Sequence, residues 1–320
     1  MITTPLTRWL ELSTPIIGAP MAGVAGGALA RAVSEGGGLG MIGISGSATA
    51  EFLTEQCAIP AEADVLFGVG LMIWVLETRP DLFEATLAAR PGLVSVSFGD
   101  PAPYVGPLHD AGVAVAAQVN TVADAARVVD AGVDVIVAQG TEAGGHTGQR
   151  ATLPLLQEVL PLTDRPVLAA GGIATGRAMA AALVAGAAGV WVGTAFLSCT
   201  EGLNKPAARE RVRAASGDET VLTRAFDVGE GIAWPERWPG RALVNDFSRA
   251  WHGRETELVD DAEARGLVAE GRRTGDPRFG PVYAGEAVGL VTRERSAADV
   301  VRELDADAEQ ALRAAAELLG

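Results

Sequence analysis

Short apolar runs bounded by glycine, proline or polar residues recur through the first 195 residues of the chain. Uninterrupted apolar runs of about four to eight residues are typical of parallel strands that are covered on both faces. We therefore predict eight buried strands, at residues 15–20, 39–42, 66–72, 93–98, 113–119, 133–139, 167–170 and 189–192.

Stretches with helical spacing separate these strands, and we predict seven helices, at 27–35, 48–57, 80–89, 104–111, 123–131, 152–160 and 176–185. This alternation predicts an α/β fold, a (β/α)8 TIM barrel. A doubly wound sheet is the alternative. It is disfavoured because no GxGxxG follows the first strand, and the glycine triplet at 36–38 precedes a strand instead of following one.

The pattern changes after Thr200. A charged helical stretch at 201–215 precedes an irregular covering segment at 220–245, which contains Trp234 and Trp238. Further helices are expected at 246–273 and, capped by Ser296, at 297–319. We predict that residues 1–200 form the barrel. Residues 201–320 would form a helical cap that covers the substrate, and the last helix would pack back on the barrel.

The composition narrows the class of protein. Hydrophobic residues make up 48% of the chain and charged residues 20%, which suits a packed α/β domain. A net charge of −15 argues against nucleic acid or an anionic membrane as a partner. The uncharged stretch 178–200 could span a bilayer, but its glycines divide it into a helix, a turn and a strand. Cys57 and Cys199 form no disulfide or zinc pattern, so we expect a cytoplasmic protein.

Two of the later predicted strands end in small residues with free backbone N–H groups. The seventh strand ends in Gly171-Gly172, and the eighth ends in Gly193-Thr194. Such strand ends, followed by helix N-termini, commonly hold a phosphate in late β/α units of a barrel. Tight turns alone are the ordinary alternative. Because the two strands are neighbours, the pattern favours a phosphate site.

A histidine lies at the same predicted rim. His146 is one of three histidines and sits in a glycine-rich loop after the sixth strand, whereas His109 and His252 are expected to be structural or solvated. An imidazole titrates near neutrality, so His146 can take a proton from carbon. Glu142 could orient it or could be solvated.

Other strand ends supply groups suited to a flat heterocycle. Gln118 and Gln139 offer amide side chains, with capping of the strand as the alternative role. Small residues at 20–22 would let the main chain lie against a ring, and Met72 ends the third strand. No spacing typical of a metal site is present.

Four motifs together resemble the nitronate monooxygenase family, formerly called 2-nitropropane dioxygenases, which are FMN-binding TIM barrels. They are residues 18–23 (GAPMAG), 139–146 (QGTEAGGH), 169–173 (AAGGI) and 189–196 (GVWVGTAF). The resemblance implies FMN as cofactor, its phosphate on residues 171, 172, 193 and 194, and His146 as the catalytic base. The implied cofactor-binding residues are Ala19, Pro20, Met21, Ala22, Met72, Gln118, Gln139, Gly144, Gly145, Gly171, Gly172, Ile173, Gly193 and Thr194.

The sequence departs from the family pattern at two positions. Gly70 stands where the third strand often has asparagine, and Gln118 stands where a basic residue is frequent. Both lie where the resemblance places the flavin, so they bear on the substrate and on the oxidant.

The resemblance implies an oxidoreductase, a flavoprotein monooxygenase that oxidises alkyl nitronates or nitroalkanes with O2 to carbonyl compounds and nitrite. An NAD(P)H-dependent FMN reductase acting on quinones or enoyl thioesters is the alternative. A flavin-free lyase or isomerase barrel is disfavoured because no lysine or carboxylate base ends a strand. The expected partners are a small-molecule substrate and O2, and a homodimer is an open alternative to a monomer.

Overall fold

Eight parallel strands form a barrel in the computed structural model of the chain, which describes residues 2–319. Eleven strands are present in this part: β1 (Ile16–Gly18), β2 (Gly40–Gly43), β3 (Phe67–Met72), β4 (Leu93–Ser97), β5 (Ala114–Val119), β6 (Val135–Gln139), β7 (Gly145–His146), β8 (Val167–Ala170), β9 (Gly189–Val192), β10 (Thr220–Thr223) and β11 (Gly240–Leu243).

The barrel strands follow the order β1-β9-β8-β6-β5-β4-β3-β2. A parallel bridge between Ile17 and Leu39 joins the two ends of this order, so the barrel closes. The (β/α)8 prediction is therefore confirmed. The predicted strand limits at 167–170 and 189–192 agree with β8 and β9. The first strand is shorter than predicted, because its pairing with β9 ends at Gly18.

The helices mostly lie where their spacing predicts them. In the first 195 residues they are Pro5–Leu10, Gly27–Glu35, Ala50–Glu62, Ile73–Leu76, Pro80–Ala89, Ala102–Asp110, Val122–Asp130, Thr152–Val159 and Gly176–Val184. Later helices are Pro206–Arg213, Ala225–Glu230, Asp246–Trp251, Glu255–Leu258, Ala262–Thr274 and Ala297–Ala316. The 3₁₀ helices are Leu160–Leu162, Thr194–Phe196, Gly217–Glu219, Glu286–Leu290 and Glu317–Leu319.

Apolar side chains fill the barrel and close its amino end. Leu39, Met41, Leu168 and Trp191 belong to one buried cluster, and Leu6 of the first helix packs against it. This interior is a packed core and not a channel, as in other barrels of eight strands. The opposite, carboxyl end is therefore the end that is free to hold a site.

The segment at 220–245 corrects the prediction of an irregular cover. It contains β10 and β11, which pair antiparallel, and β11 also pairs with β7, so that Gly240 lies opposite His146. The part after residue 200 is thus a small sheet with helices and not helical alone. The sheet was not predicted because each of its strands is short and β7 lies far from β11 in sequence.

The last helix, Ala297–Ala316, packs against the helices Gly176–Val184 and Gly27–Glu35. It begins at Ser296, whose side chain accepts a hydrogen bond from Asp299 N, as the capping pattern predicts. It therefore occupies the place of the eighth helix of the barrel. Within residues 2–319, no helix is both long enough and apolar enough to cross a bilayer.

Candidate active site

The ends of β8 and β9 carry backbone N–H groups that have no acceptor in the protein. The N–H groups of Gly172, Ile173, Thr194 and Ala195 make no hydrogen bond within residues 2–319. Ile173 and Ala195 are buried, and an unpaired buried N–H is costly. Gly171 and Gly172 have φ values of +107° and +72°, which glycine adopts most readily. This cradle of donors fits a phosphate group.

The end of β1 lies directly beside this cradle. A Cβ built on Gly193 would be 3.4 Å from Met21 Sδ and 3.5 Å from Ala19 Cβ. Thr194 Oγ1 accepts a hydrogen bond of 2.9 Å from Gly285 N, while its own hydrogen is still available to a ligand. The structure therefore brings together the predicted phosphate residues and the first-strand residues that were expected to contact a flat ring.

A close contact with Pro20 explains why glycine stands at position 70. A Cβ on Gly70 would lie 2.3 Å from Cβ and Cγ of Pro20, so an asparagine would collide with the end of β1. Gly43 similarly lies against the backbone of Met21 and Ala22. Met72 is half-buried at the end of β3. The departure from the family pattern thus accompanies a close approach of Pro20 to β3.

His146 is held at its edge and on one face by residues of the later part of the chain. Its Nε2 lies 2.9 and 3.0 Å from the two carboxylate oxygens of Asp227. Trp234 stacks on the ring, with centroids 3.5 Å apart and planes at 10°. The side chains of His146 and Asp227 are 8% and 5% exposed. The histidine of the glycine-rich loop is therefore fixed, not solvated.

Sequence reasoning missed Asp227, Trp234 and Tyr283 as parts of this site. Asp227 is 81 residues from His146 in the chain, and no local motif marks it. Trp234 was recognised only as part of a covering segment. The pairing of β7 with β11 carries the histidine to them.

Tyr283 stands behind the Asp227 carboxylate. Desolvation of its ring, followed by the negative charges of Asp227 and Glu230, raises the Tyr283 pKa well above its usual range. The phenol therefore keeps its proton and can donate it to Asp227 Oδ1, across a long 3.4 Å contact. Burial also raises the pKa of Glu230, although Arg272 pairs with it.

Glu142 has neither of the two roles that the sequence left open. Its carboxylate accepts hydrogen bonds from Thr152 N and, at 2.9 Å, from Thr152 Oγ1. It thus caps the helix Thr152–Val159, where a negative charge is favourable. Gly144 also has a packing role, because a Cβ there would lie 2.6 Å from the backbone of Ala284 and Gly285.

The two strand-end glutamines differ in their availability. Gln139 is buried, and its Oε1 accepts a 3.0 Å hydrogen bond from Asn120 Nδ2. Asn120 in turn accepts from Trp238 Nε1. The side chain of Gln118 is half-buried and forms no hydrogen bond within the described residues. Gly145 adopts φ +74° and has open space where a side chain would begin. Gln118 and Gly145 are therefore free to face a ligand.

Replacing Glu142 with alanine is expected to lower the free energy of unfolding by about 1–2 kcal/mol, because Thr152 loses its capping acceptor. Urea denaturation measures this change. Glu158→Ala is the control, since this carboxylate forms only an exposed pair with Arg150 and its loss should matter less. Equal losses in the two variants would contradict the capping role.

Several known proteins are similar to this chain in sequence. The model of the family described as nitronate monooxygenase matches residues 78–307. The nitronate monooxygenase of Pseudomonas aeruginosa is 33% identical and covers 95% of this chain and 98% of its own length. A carboxyl-CoA dehydrogenase of Mycobacterium tuberculosis, (3aS,4S,5R,7aS)-5-hydroxy-7a-methyl-1-oxo-octahydro-1H-indene-4-carboxyl-CoA dehydrogenase, is 28% identical and covers 99% of both chains.

A solved structure shows the same architecture. FabK from Thermotoga maritima superposes with a TM-score of 0.86 at 30% identity, covering 100% of this chain and 99% of that one. The family and the fold indicate a flavin cofactor and a small-molecule substrate. The chain therefore belongs to the nitronate monooxygenase family and is a flavin-dependent oxidoreductase with a (β/α)8 barrel.

Proposed function

We propose that this protein uses FMN to oxidise alkyl nitronates or nitroalkanes with O2, giving carbonyl compounds and nitrite. One observation carries the proposal: a histidine fixed by a carboxylate stands at the same barrel rim as a cradle of backbone N–H donors suited to a phosphate. The family match and the 33% identical nitronate monooxygenase support the choice of substrate.

FMN is the flavin that this cradle suits, since its single phosphate needs one set of donors. The N–H groups of Gly172, Ile173, Thr194 and Ala195 would hold that phosphate. Residues 19–22 at the end of β1, with Met72 and Gln118, would lie along the ring. The bound flavin would supply the redox chemistry, accepting electrons from the substrate and passing them to O2.

His146 acts on the proton of the substrate. A nitroalkane is a carbon acid, and its ionisation places negative charge on the nitro group. An imidazole can take that proton at neutral pH. With a nitronate, which has already lost the proton, the positively charged ring would attract the anion. Trp234 and Tyr283 pack against the ring, and this less polar surrounding would strengthen the attraction between a positive ring and the anion.

Flavin-loaded protein is expected to consume O2 when a preformed nitronate is added without NADH, and to release nitrite. An oxygen electrode measures the consumption of O2, and a colorimetric assay measures the nitrite released. The protein should absorb at about 450 nm, as flavoproteins do. Buffer with free FMN is the control. A yellow protein that leaves O2 unchanged with several nitronates would contradict the proposal.

The second candidate is an NAD(P)H-dependent FMN reductase that acts on quinones or enoyl thioesters. The 28% identical relative named as a carboxyl-CoA dehydrogenase favours a thioester within this alternative. Rapid bleaching of the flavin by NADH under nitrogen, followed by reoxidation with an enoyl thioester, would support it. Slow bleaching together with rapid nitronate oxidation would favour the first candidate, oxidation of nitronates with O2.

A further inference from the structure

The contact between His146 and Asp227 determines which ring nitrogen carries the hydrogen in the neutral imidazole. Nε2 faces both oxygens of the carboxylate, at 2.9 and 3.0 Å. A carboxylate only accepts hydrogen bonds, so Nε2 must carry the hydrogen. Within residues 2–319 the other nitrogen, Nδ1, makes no hydrogen bond. In the neutral ring, Nδ1 is thus the nitrogen with a free electron pair.

One segment holds both the edge and the face of the ring. Asp227 lies in the helix Ala225–Glu230, which ends at Gly231 with φ +67°. The backbone oxygen of Asp227 accepts a 2.8 Å bond from Ile232 N, and Trp234 follows directly and stacks on the imidazole. The carboxylate and the indole are therefore positioned by the same turn of chain.

Further polar groups lie near the Asp227 carboxylate. Tyr283 reaches Asp227 Oδ1 from the segment after the helix Ala262–Thr274. Glu230 lies on the same short helix as Asp227 and pairs with Arg272. Within the described residues, Arg272 pairs with Glu230, and the only ion pair of Asp227 is the one with His146.

We propose that Asp227 is a positioning residue that holds His146 through Nε2–H and leaves Nδ1 as the nitrogen that takes the substrate proton. The carbon–hydrogen bond breaks, its electron pair stays on the substrate as the nitronate, and the proton forms the Nδ1–H bond. The imidazolium so formed is paired with the Asp227 carboxylate. The part that concerns the substrate rests on the proposed function; the part that concerns the ring does not.

Nitrogen NMR of histidine-labelled protein tests the ring directly. The chain has only three histidines, so a His146→Gln spectrum assigns the signals by subtraction. In the wild type, at a pH where the ring is neutral, we expect the proton on Nε2 and a bare Nδ1, with slow exchange of the Nε2 hydrogen. Protonated Nδ1 with bare Nε2 would overturn the proposal, and this measurement needs no variant at Asp227.

Kinetics of Asp227→Ala tests the consequence. We expect kcat with a nitroalkane to fall about 10²-fold while KM changes little, because the ring loses its orientation and its counter-charge. Asp227→Glu should recover part of the rate. The signals of His109 and His252, together with FMN binding, should be unchanged and so report an intact fold. Unchanged kcat in Asp227→Ala would overturn the positioning role.

The two proposals fail in different ways. If no nitro compound is turned over but the Nε2–H signal is present and disappears in Asp227→Ala, the substrate is wrong and the arrangement of the ring holds. If nitroalkanes are oxidised but the proton lies on Nδ1, the function holds and Asp227 has another role.

Discussion

Replacement of His146 by glutamine is expected to lower kcat for nitroalkane oxidation by about 10²- to 10⁴-fold, the usual contribution of a positioned general base. Glutamine can still donate an amide hydrogen to Asp227, so the buried carboxylate keeps a partner. It does not take up a proton near neutrality. Steady-state oxygen uptake measures the loss, and the flavin spectrum should show that FMN is retained.

The matched control is His252→Gln. His252 follows the helix Asp246–Trp251, and its side chain is exposed. Turnover should be unchanged in this variant. The rate with a preformed nitronate is a second test, because that substrate no longer needs deprotonation. A His146→Gln enzyme that keeps full activity on the nitroalkane would rule out this histidine as the base.

Alanine at Gly171 is expected to weaken FMN binding by at least about tenfold and to lower the free energy of unfolding by about 1–3 kcal/mol. The native φ of +107° is strained for any residue with a side chain. The new Cβ would also lie 2.8 Å from Thr152 Oγ1 and 3.1 Å from Ala143 N. Relief of these contacts would shift the end of β8, where the free N–H groups lie.

Gly106→Ala is the matched control for this second prediction. Gly106 lies in the helix Ala102–Asp110, and no atom stands within 4 Å of the place of its Cβ. Alanine there should leave FMN binding unchanged, and because the following Pro107 offsets the gain in helix propensity, the free energy of unfolding should change little. Titration of apoprotein with FMN and urea denaturation give the two quantities separately. Wild-type affinity in Gly171→Ala would place the phosphate elsewhere than at β8.

The sequence predicted which residues the barrel strands contribute to the candidate site. Gly171, Gly172, Gly193 and Thr194 lie together because they end two consecutive parallel strands, β8 and β9. The alternation of strands and helices is enough to predict that these two strand ends are adjacent. The roles of Glu142 and Gly144 could not be predicted, since capping of one helix and contact with residue 285 depend on how loops pack.

By itself, the sequence determined the barrel and predicted the rim and the histidine of the candidate site, because periodicity, strand-end glycines and loop composition are local properties. Only the tertiary structure decided how that histidine is held. Its partners Asp227, Trp234 and Tyr283 come from a segment that pairs through short strands. Two-residue pairings and contacts over 81 residues leave no periodic pattern, so they arise only when the barrel and its cover pack together.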